Sequence, residues 1–270
     1  MLVLAIAAVP IVVYWGTVAS MIESWSSESY RHGYLIPIVC VLLLWRDRAN
    51  FGPLRLSGSW VGIAALALTV GAWLVAQATA VELVEQVSVV SMVTAFALAV
   101  VGWQAYRRIW FPLAYLIFTV PVGASLIPYL MDSTATIAVG ALQSLDVPAL
   151  REGMVVSLPG GTFEVVEACS GFSYLNAGVA LGVLVAHLMF RAAWKQVSYV
   201  AAVVAVFIVV NGVRAFLVMF VGSLSHMRIF VGRDHLFFGW LLFLSVMALM
   251  YWVAEKYSDV QTAEPARGAE

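Results

Sequence analysis

The chain has 270 residues, 63% of them apolar and 11% charged, with a formal net charge of −1. A soluble domain carries about 45–50% apolar and roughly 25% charged residues, so a single water-exposed globule is excluded, as are disorder and collagen-like repeats. Four His and two Cys exclude a disulfide scaffold or a Cys-rich zinc site, and the charge balance excludes a basic nucleic-acid-binding face. The composition is that of an integral membrane protein.

A membrane helix needs about 20 mostly apolar residues. Runs at 1–22, 33–45 (short), 60–80, 87–103, 109–130, 170–190, 197–221 and 235–254 predict an all-α integral membrane protein of about eight transmembrane helices. Helices are expected because backbone polar groups in lipid must be satisfied within the segment. Residues 1–22 lack the basic n-region of a signal peptide and exceed its usual apolar length, so they are read as a span. With the N-terminus in the cytoplasm, the inward loops and tail hold nine of the fourteen basic residues. The outward segments hold four, Arg31, Arg151, Arg228 and Arg233, and basic residues favour the cytoplasmic side. The polytopic region is expected to cover 1–257, followed by a disordered cytoplasmic tail over 258–270.

The outward insert 131–168 is the one long stretch between spans. From Asp132 to Leu145 it has the character of an amphipathic helix lying on the membrane surface. Met154–Leu158 and Thr162–Glu167 flank Pro159-Gly160-Gly161 and predict a short β-hairpin before the sixth span. The second strand leads directly into Ala168-Cys169-Ser170-Gly171. Cys169 is therefore expected at a helix N-terminus near the outer surface, where the partial positive charge favours a thiolate nucleophile. The backbone N–H groups of Ser170 and Gly171 are candidates to face a developing oxyanion. Glu164 and Glu167 oppose thiolate formation, so the sign of the local field stays open.

Arg214 is a guanidinium inside a span, where a charge costs at least about 2.5–3.5 kcal/mol and marks function, unless it snorkels as an anchor. Asn211, three residues earlier, shares its helix face. His235, in Gly232-Arg233-Asp234-His235 at the start of the last span, is placed to shuttle protons near neutral pH. His226 and His32 compete with it at the same level, whereas His187 lies near the opposite face. Nucleophile, oxyanion stabiliser and general acid/base are the groups that acyl transfer through a thioester requires. The outward segments carry ten acidic residues, so an acidic substrate needs an arginine besides Arg214, from among Arg151, Arg228 and Arg233, to bind its carboxylate.

Glu167-Ala168-Cys169-Ser170-Gly171, Asn211-Gly212-Val213-Arg214 and Asp234-His235-Leu236-Phe237-Phe238-Gly239-Trp240 resemble the signature blocks of the exosortases. The last resembles the exosortase A type, and residues 31–45 resemble the family's N-terminal block. The resemblance implies a multi-pass cysteine transpeptidase of the bacterial inner membrane, with its active site facing the periplasm. Its substrates would be exported proteins ending in a Pro-Glu-Pro-type motif, a transmembrane helix and a basic cluster. It implies Cys169 as nucleophile, Arg214 as oxyanion stabiliser and His235 as general acid/base. Asn211, Ser170, Gly171, Asp234, His32 and Arg233 are the candidate supporting or substrate-binding residues. Neither a metal nor a cofactor is implied. Some exosortases carry an added soluble C-terminal domain; this chain ends soon after its last span, which points to a separate periplasmic accessory protein.

Two other readings stand beside this one. Intramembrane Arg and Asn residues also mark solute paths in transporters, although neither an inverted repeat nor a midplane polar cluster is visible. A structural subunit of an exopolysaccharide-export assembly is the third, and for it Cys169 would be dispensable.

Overall fold

The computed structural model describes residues 2–48, 57–225 and 234–259, with side chains from residue 5 and, in the last segment, from residue 237. The chain divides into two compact units, residues 1–122 and 123–270. Among the described residues six helices are long and apolar enough to cross a membrane, or seven if one bent pair counts as a single span. The protein is all-α apart from one small sheet. Its helices turn large apolar side chains outward, as lipid-facing surfaces do: in the helix Trp60–Thr79 only Gly62 and Ala76 are buried, and Leu68 is 74% exposed.

In the first unit, α1 (Leu2–Val13) and α2 (Trp15–Ser24) meet at Tyr14 with a bend of 90°, so the run 1–22 is not one straight span. α3 (Leu35–Arg46) has only 12 residues, about 18 Å of rise, and falls short of a span by itself. α4 (Trp60–Thr79) starts on Ser59, whose hydroxyl accepts from Gly62 N–H, and stops at Ala80 in a left-handed conformation. α5 (Glu82–Tyr115) follows at once, with Glu82 and Glu85 in its first turn, where carboxylates suit the helix dipole. The short connection makes α4 and α5 antiparallel neighbours. Gly62 lies on the backbone of Ala99, which leaves no room for a Cβ.

α5 is interrupted once, at Gly102 (φ 75°, ψ 170°), a conformation open to glycine. The expected loop at 104–108 is therefore helical, and two expected spans join in one kinked helix. The expected span 109–130 is itself cut. A 3-10 turn at Leu116–Thr119 gives way to extended chain at Val120, and Gly123 takes a positive φ. These breaks lower the count from eight. A stripe of Val93, Ala97 and Val101 at four-residue spacing packs with Ile6, Leu44, Ile109 and Leu113 to form the core of this unit.

In the second unit, α6 (Ile127–Ser144) buries Thr134, Ala135, Ala138, Val139 and Leu142 on one face and packs against α8 (Ala193–Leu224). It starts before the amphipathic helix expected from Asp132 and is apolar enough to count among the six candidate spans. Gly212 lets α8 approach Ile137 of α6, because a Cβ there would lie 2.5 Å from it. α7 (Phe172–Met189) runs antiparallel to α8, with Gly178 under Phe207 and Gly182 against Val203. α9 (Asp234–Lys256) adds Val246, Met247, Met250 and Ala254 to the core formed by Val185, Phe190, Tyr199, Val203 and Phe207.

Between α6 and α7 lies an antiparallel sheet of β1 (Leu150–Glu152), β2 (Val155–Leu158) and β3 (Gly161–Glu164) in that order. The expected hairpin is β2–β3, with Val156 opposite Phe163, and β1 is an added strand. The Pro159-Gly160 turn docks on the end of α8, where Gly160 N–H donates to Ser223 Oγ at 3.2 Å. After α9, Ser258 donates to the Met189 carbonyl and Asp259 pairs with Lys195; residues 260–270 of the expected tail lie outside the described residues.

Candidate functional site

The sheet sets the position of Cys169. Val165, fully buried, extends the ladder by donating to the Met154 carbonyl at 2.9 Å. A 3-10 turn over Glu167–Cys169 follows, closed by Cys169 N–H on the Val166 carbonyl (2.8 Å) and Ser170 N–H on the Glu167 carbonyl (2.9 Å). Gly171 then takes φ 75°, and α7 begins at Phe172. Cys169 therefore stands three residues before the helix rather than in its first turn, where the helix dipole acts most strongly. The Ser170 N–H is committed to Glu167, so it does not face an oxyanion. Its hydroxyl instead accepts from Phe172 N–H, the first of α7, at 3.2 Å.

Asn211 ties this turn to α8 and α6. Its Nδ2 donates to the Cys169 carbonyl at 2.9 Å and to Thr134 Oγ1 at 2.8 Å, and its Oδ1 faces Arg214 Nη1 at 3.4 Å. The amide has one consistent orientation: turned over, it would set oxygen against the carbonyl and nitrogen against the guanidinium. Gly171 is required beside it, since a Cβ there would lie 2.4 Å from Asn211 Cγ.

Arg214 is 6% exposed and lies ten residues before the last residue of α8, about 15 Å along the helix. It is buried rather than snorkelling. Its guanidinium carbon sits 5.6 Å from the centre of the Tyr174 ring, a cation–π contact. Among the described residues its Nε has no hydrogen-bond partner, and no carboxylate pairs with it. A buried guanidinium without an anionic partner is costly.

Cys169 and Arg214 line one cavity of about 60 Å³, together with Glu164 and the apolar side chains of Phe163, Val165, Ala215, Val218 and Met219. A second space of about 20 Å³ touches Arg214, Asn211, Tyr174 and Gly239, with room for about one water. A Cβ on Gly239 would lie 2.4 Å from the Tyr174 hydroxyl and 3.3 Å from Arg214 Nε. Helix α9 thus approaches Arg214 at Gly239, one turn after position 235.

Asp234 and His235 open α9, and their side chains lie outside the described residues. Arg233, Arg228 and His226 lie outside them altogether. Arg151 is already engaged: it donates to Asp132 (2.5 Å), Thr136 (2.8 Å) and the Gly153 carbonyl (2.8 Å). His32 belongs to the first unit, in the 3-10 segment Glu28–Tyr34. Burial holds its pKa below the ordinary imidazole value, opposed by a hydrogen bond with the Phe118 backbone. Among the described residues no group of three or more His, Cys, Asp or Glu side chains is placed to hold a metal ion.

Sequence reasoning passed over Thr134 and Tyr174. Thr134 is 2% exposed on the buried face of α6, among alanines and Leu142. A hydroxyl on that face was the available signal, because buried polar groups need partners.

No curated protein and no solved structure matches this chain. The family profile described as transmembrane exosortase matches residues 24–252, which take in the Cys169 turn, the Asn211–Arg214 segment and the start of α9. The chain belongs to the transmembrane exosortase family.

Proposed function

We propose that the protein is a membrane cysteine transpeptidase, acting at the periplasmic face of the bacterial inner membrane. Its substrates are exported proteins that end in a Pro-Glu-Pro-type motif, a transmembrane helix and a basic cluster. The Cys169 thiolate attacks the scissile carbonyl carbon, and the tetrahedral oxyanion is stabilised by Arg214. A preorganised donor of this kind in a water-poor site is worth about 3–4 kcal/mol. His235 protonates the leaving amine as the C–N bond breaks, leaving the outward part of the substrate as a thioester on Cys169. A second nucleophile then releases it.

The observation that carries this reading is the shared cavity of Cys169 and a buried Arg214 without a carboxylate partner among the described residues. Asn211 supports it by joining the two residues through one amide. A substrate helix reaches the site laterally from the bilayer.

The test is co-expression of a protein carrying the tripartite tail with wild type and with Cys169→Ala, followed by mass determination of the mature C-terminus. Wild type should yield a shortened product with a defined C-terminal group, and Cys169→Ala should yield the full-length precursor. A shortened product from both would overturn the reading. So would transport of a small solute that survives Cys169→Ala in cells where no tail is processed.

A further inference from the structure

The Cys169 cavity contains a second charged side chain that acyl-enzyme formation does not use. Glu164, the last residue of β3, pairs with Val155 across the sheet and lines the cavity with Cys169 and Arg214. It is exposed, and among the described residues its carboxylate makes neither an ion pair nor a side-chain hydrogen bond. The other lining side chains are apolar. A cation facing the nucleophile would support a thiolate and an oxyanion; an anion opposes both. Glu164 is therefore unsuited to the first half of a thioester reaction and suited to a cation that arrives in the second half.

Resting on the Cys169 reading above, we infer that Glu164 binds the ammonium form of a primary amine and accepts its proton, which makes this amine, rather than water, the nucleophile that resolves the thioester. An amine is protonated at neutral pH and has no free lone pair until it loses a proton. The Glu164 carboxylate takes one proton from the ammonium. The nitrogen lone pair attacks the thioester carbonyl carbon, Arg214 faces the oxyanion, and the C–S bond breaks. The second proton released as the amide forms passes to the departing Cys169 thiolate. The products are an amide, the Cys169 thiol and a protonated Glu164, which returns its proton to solvent. The shared chemistry of the acceptor is a primary ammonium group, carried either by a soluble amine or by a membrane aminolipid.

The experiment uses the full-length enzyme in phosphatidylcholine vesicles with a tail-bearing substrate, comparing wild type with Glu164→Gln. Ethylamine serves as the cationic acceptor and hydroxylamine as one that is largely neutral near pH 7. The readout is the ratio of amide or hydroxamate product to free-acid product, which does not depend on how fast the acyl-enzyme forms. With ethylamine the ratio should fall about tenfold or more in Glu164→Gln, as expected for a lost charge-assisted hydrogen bond; with hydroxylamine it should change less than about twofold, because that nucleophile carries no charge to bind. Vesicles containing phosphatidylethanolamine, without soluble amine, identify an aminolipid source by product mass, and that product should fall in the same way. Equal changes with both nucleophiles, no change with either, or only free acid from wild type at saturating ethylamine would each overturn the inference. Product from Cys169→Ala would instead overturn the Cys169 reading, and this inference with it.

Discussion

The side-chain amide of Asn211 holds the backbone carbonyl of Cys169 at 2.9 Å, across 42 residues of sequence. The same nitrogen donates to Thr134, 77 residues away, and the amide oxygen faces Arg214. One side chain therefore links the Cys169 turn, on the approach to α7, to the cation on α8. Asn211→Leu leaves the Cys169 carbonyl and the Thr134 hydroxyl without this partner, at a cost of about 1–3 kcal/mol in stability. Processing should fall more steeply than stability, and Thr134→Ser, which keeps the acceptor, should retain most of both. Unfolding midpoints and product yields on the same preparations check this; an Asn211→Leu enzyme with normal yield would refute it.

Gly171 and Gly140 make a matched pair. At Gly171 a Cβ meets strained backbone and the Asn211 amide together, whereas at Gly140 on α6 it meets nothing within 4 Å. Gly171→Ala should cost more than about 1 kcal/mol and abolish processing, because the αL position and the close approach both resist it. Gly140→Ala should stabilise by about 0.5–1 kcal/mol through reduced freedom of the unfolded chain. Thermal unfolding of both variants beside wild type decides the order.

The Pro159-Gly160 turn rests on the end of α8, and a Cβ on Gly160 would lie 2.2 Å from the Ser223 carbonyl. Gly160→Ala should lift β2–β3 from α8 and disturb the Cys169 cavity, which draws Phe163, Glu164 and Val165 from β3 and its extension. Reaction of Cys169 with a small thiol reagent should then change in rate, with Cys169→Ala as the blank. By contrast the Arg151–Asp132 pair is partly exposed, with Asp132 63% accessible, and such pairs are worth about 0–1 kcal/mol. Asp132→Asn should leave both the thiol rate and processing nearly unchanged.

These contrasts show what the linear chain made readable. The apolar runs made membrane helices legible because composition alone carries that signal. Their breaks were only partly legible: the 90° bend at Tyr14 falls inside an apolar run, whereas the kink at Gly102 sits just before the polar stretch 104–108, which reads as a loop and folds as helix. The hairpin around Pro159-Gly160 was marked by two adjacent turn residues, whereas β1 is only three residues long and a single turn residue, Gly153 at φ 63°, leads from it into β2. Asn211 and Arg214, three residues apart, were legible as one helix face. Thr134 was not, since its partner lies on another helix and nothing local names it. The Ser170 N–H, a candidate to face an oxyanion in the sequence, is instead used by a 3-10 turn that composition does not reveal.

His32 supplies a pH test within the first unit. Its folded-state pKa lies below the ordinary 6.5, so the unfolded chain binds a proton more readily than the folded one. The stability it contributes is present above about pH 6.5 and is lost as pH falls through the folded value. The unfolding midpoint should therefore drop between about pH 7 and pH 5 in wild type, and the drop should be smaller in His32→Gln, which does not titrate there. An identical pH slope in the two proteins would assign the effect elsewhere.

Cys169 as the acyl-carrying nucleophile is the claim on which the functional reading stands. The most direct measurement is the intact mass of the enzyme after acid quenching during turnover with a tail-bearing substrate. The account predicts an adduct equal in mass to the outward part of the substrate, mapped to Cys169, released by hydroxylamine and absent from Cys169→Ala. Continued processing with no adduct on Cys169, or the same adduct in Cys169→Ala, would contradict it.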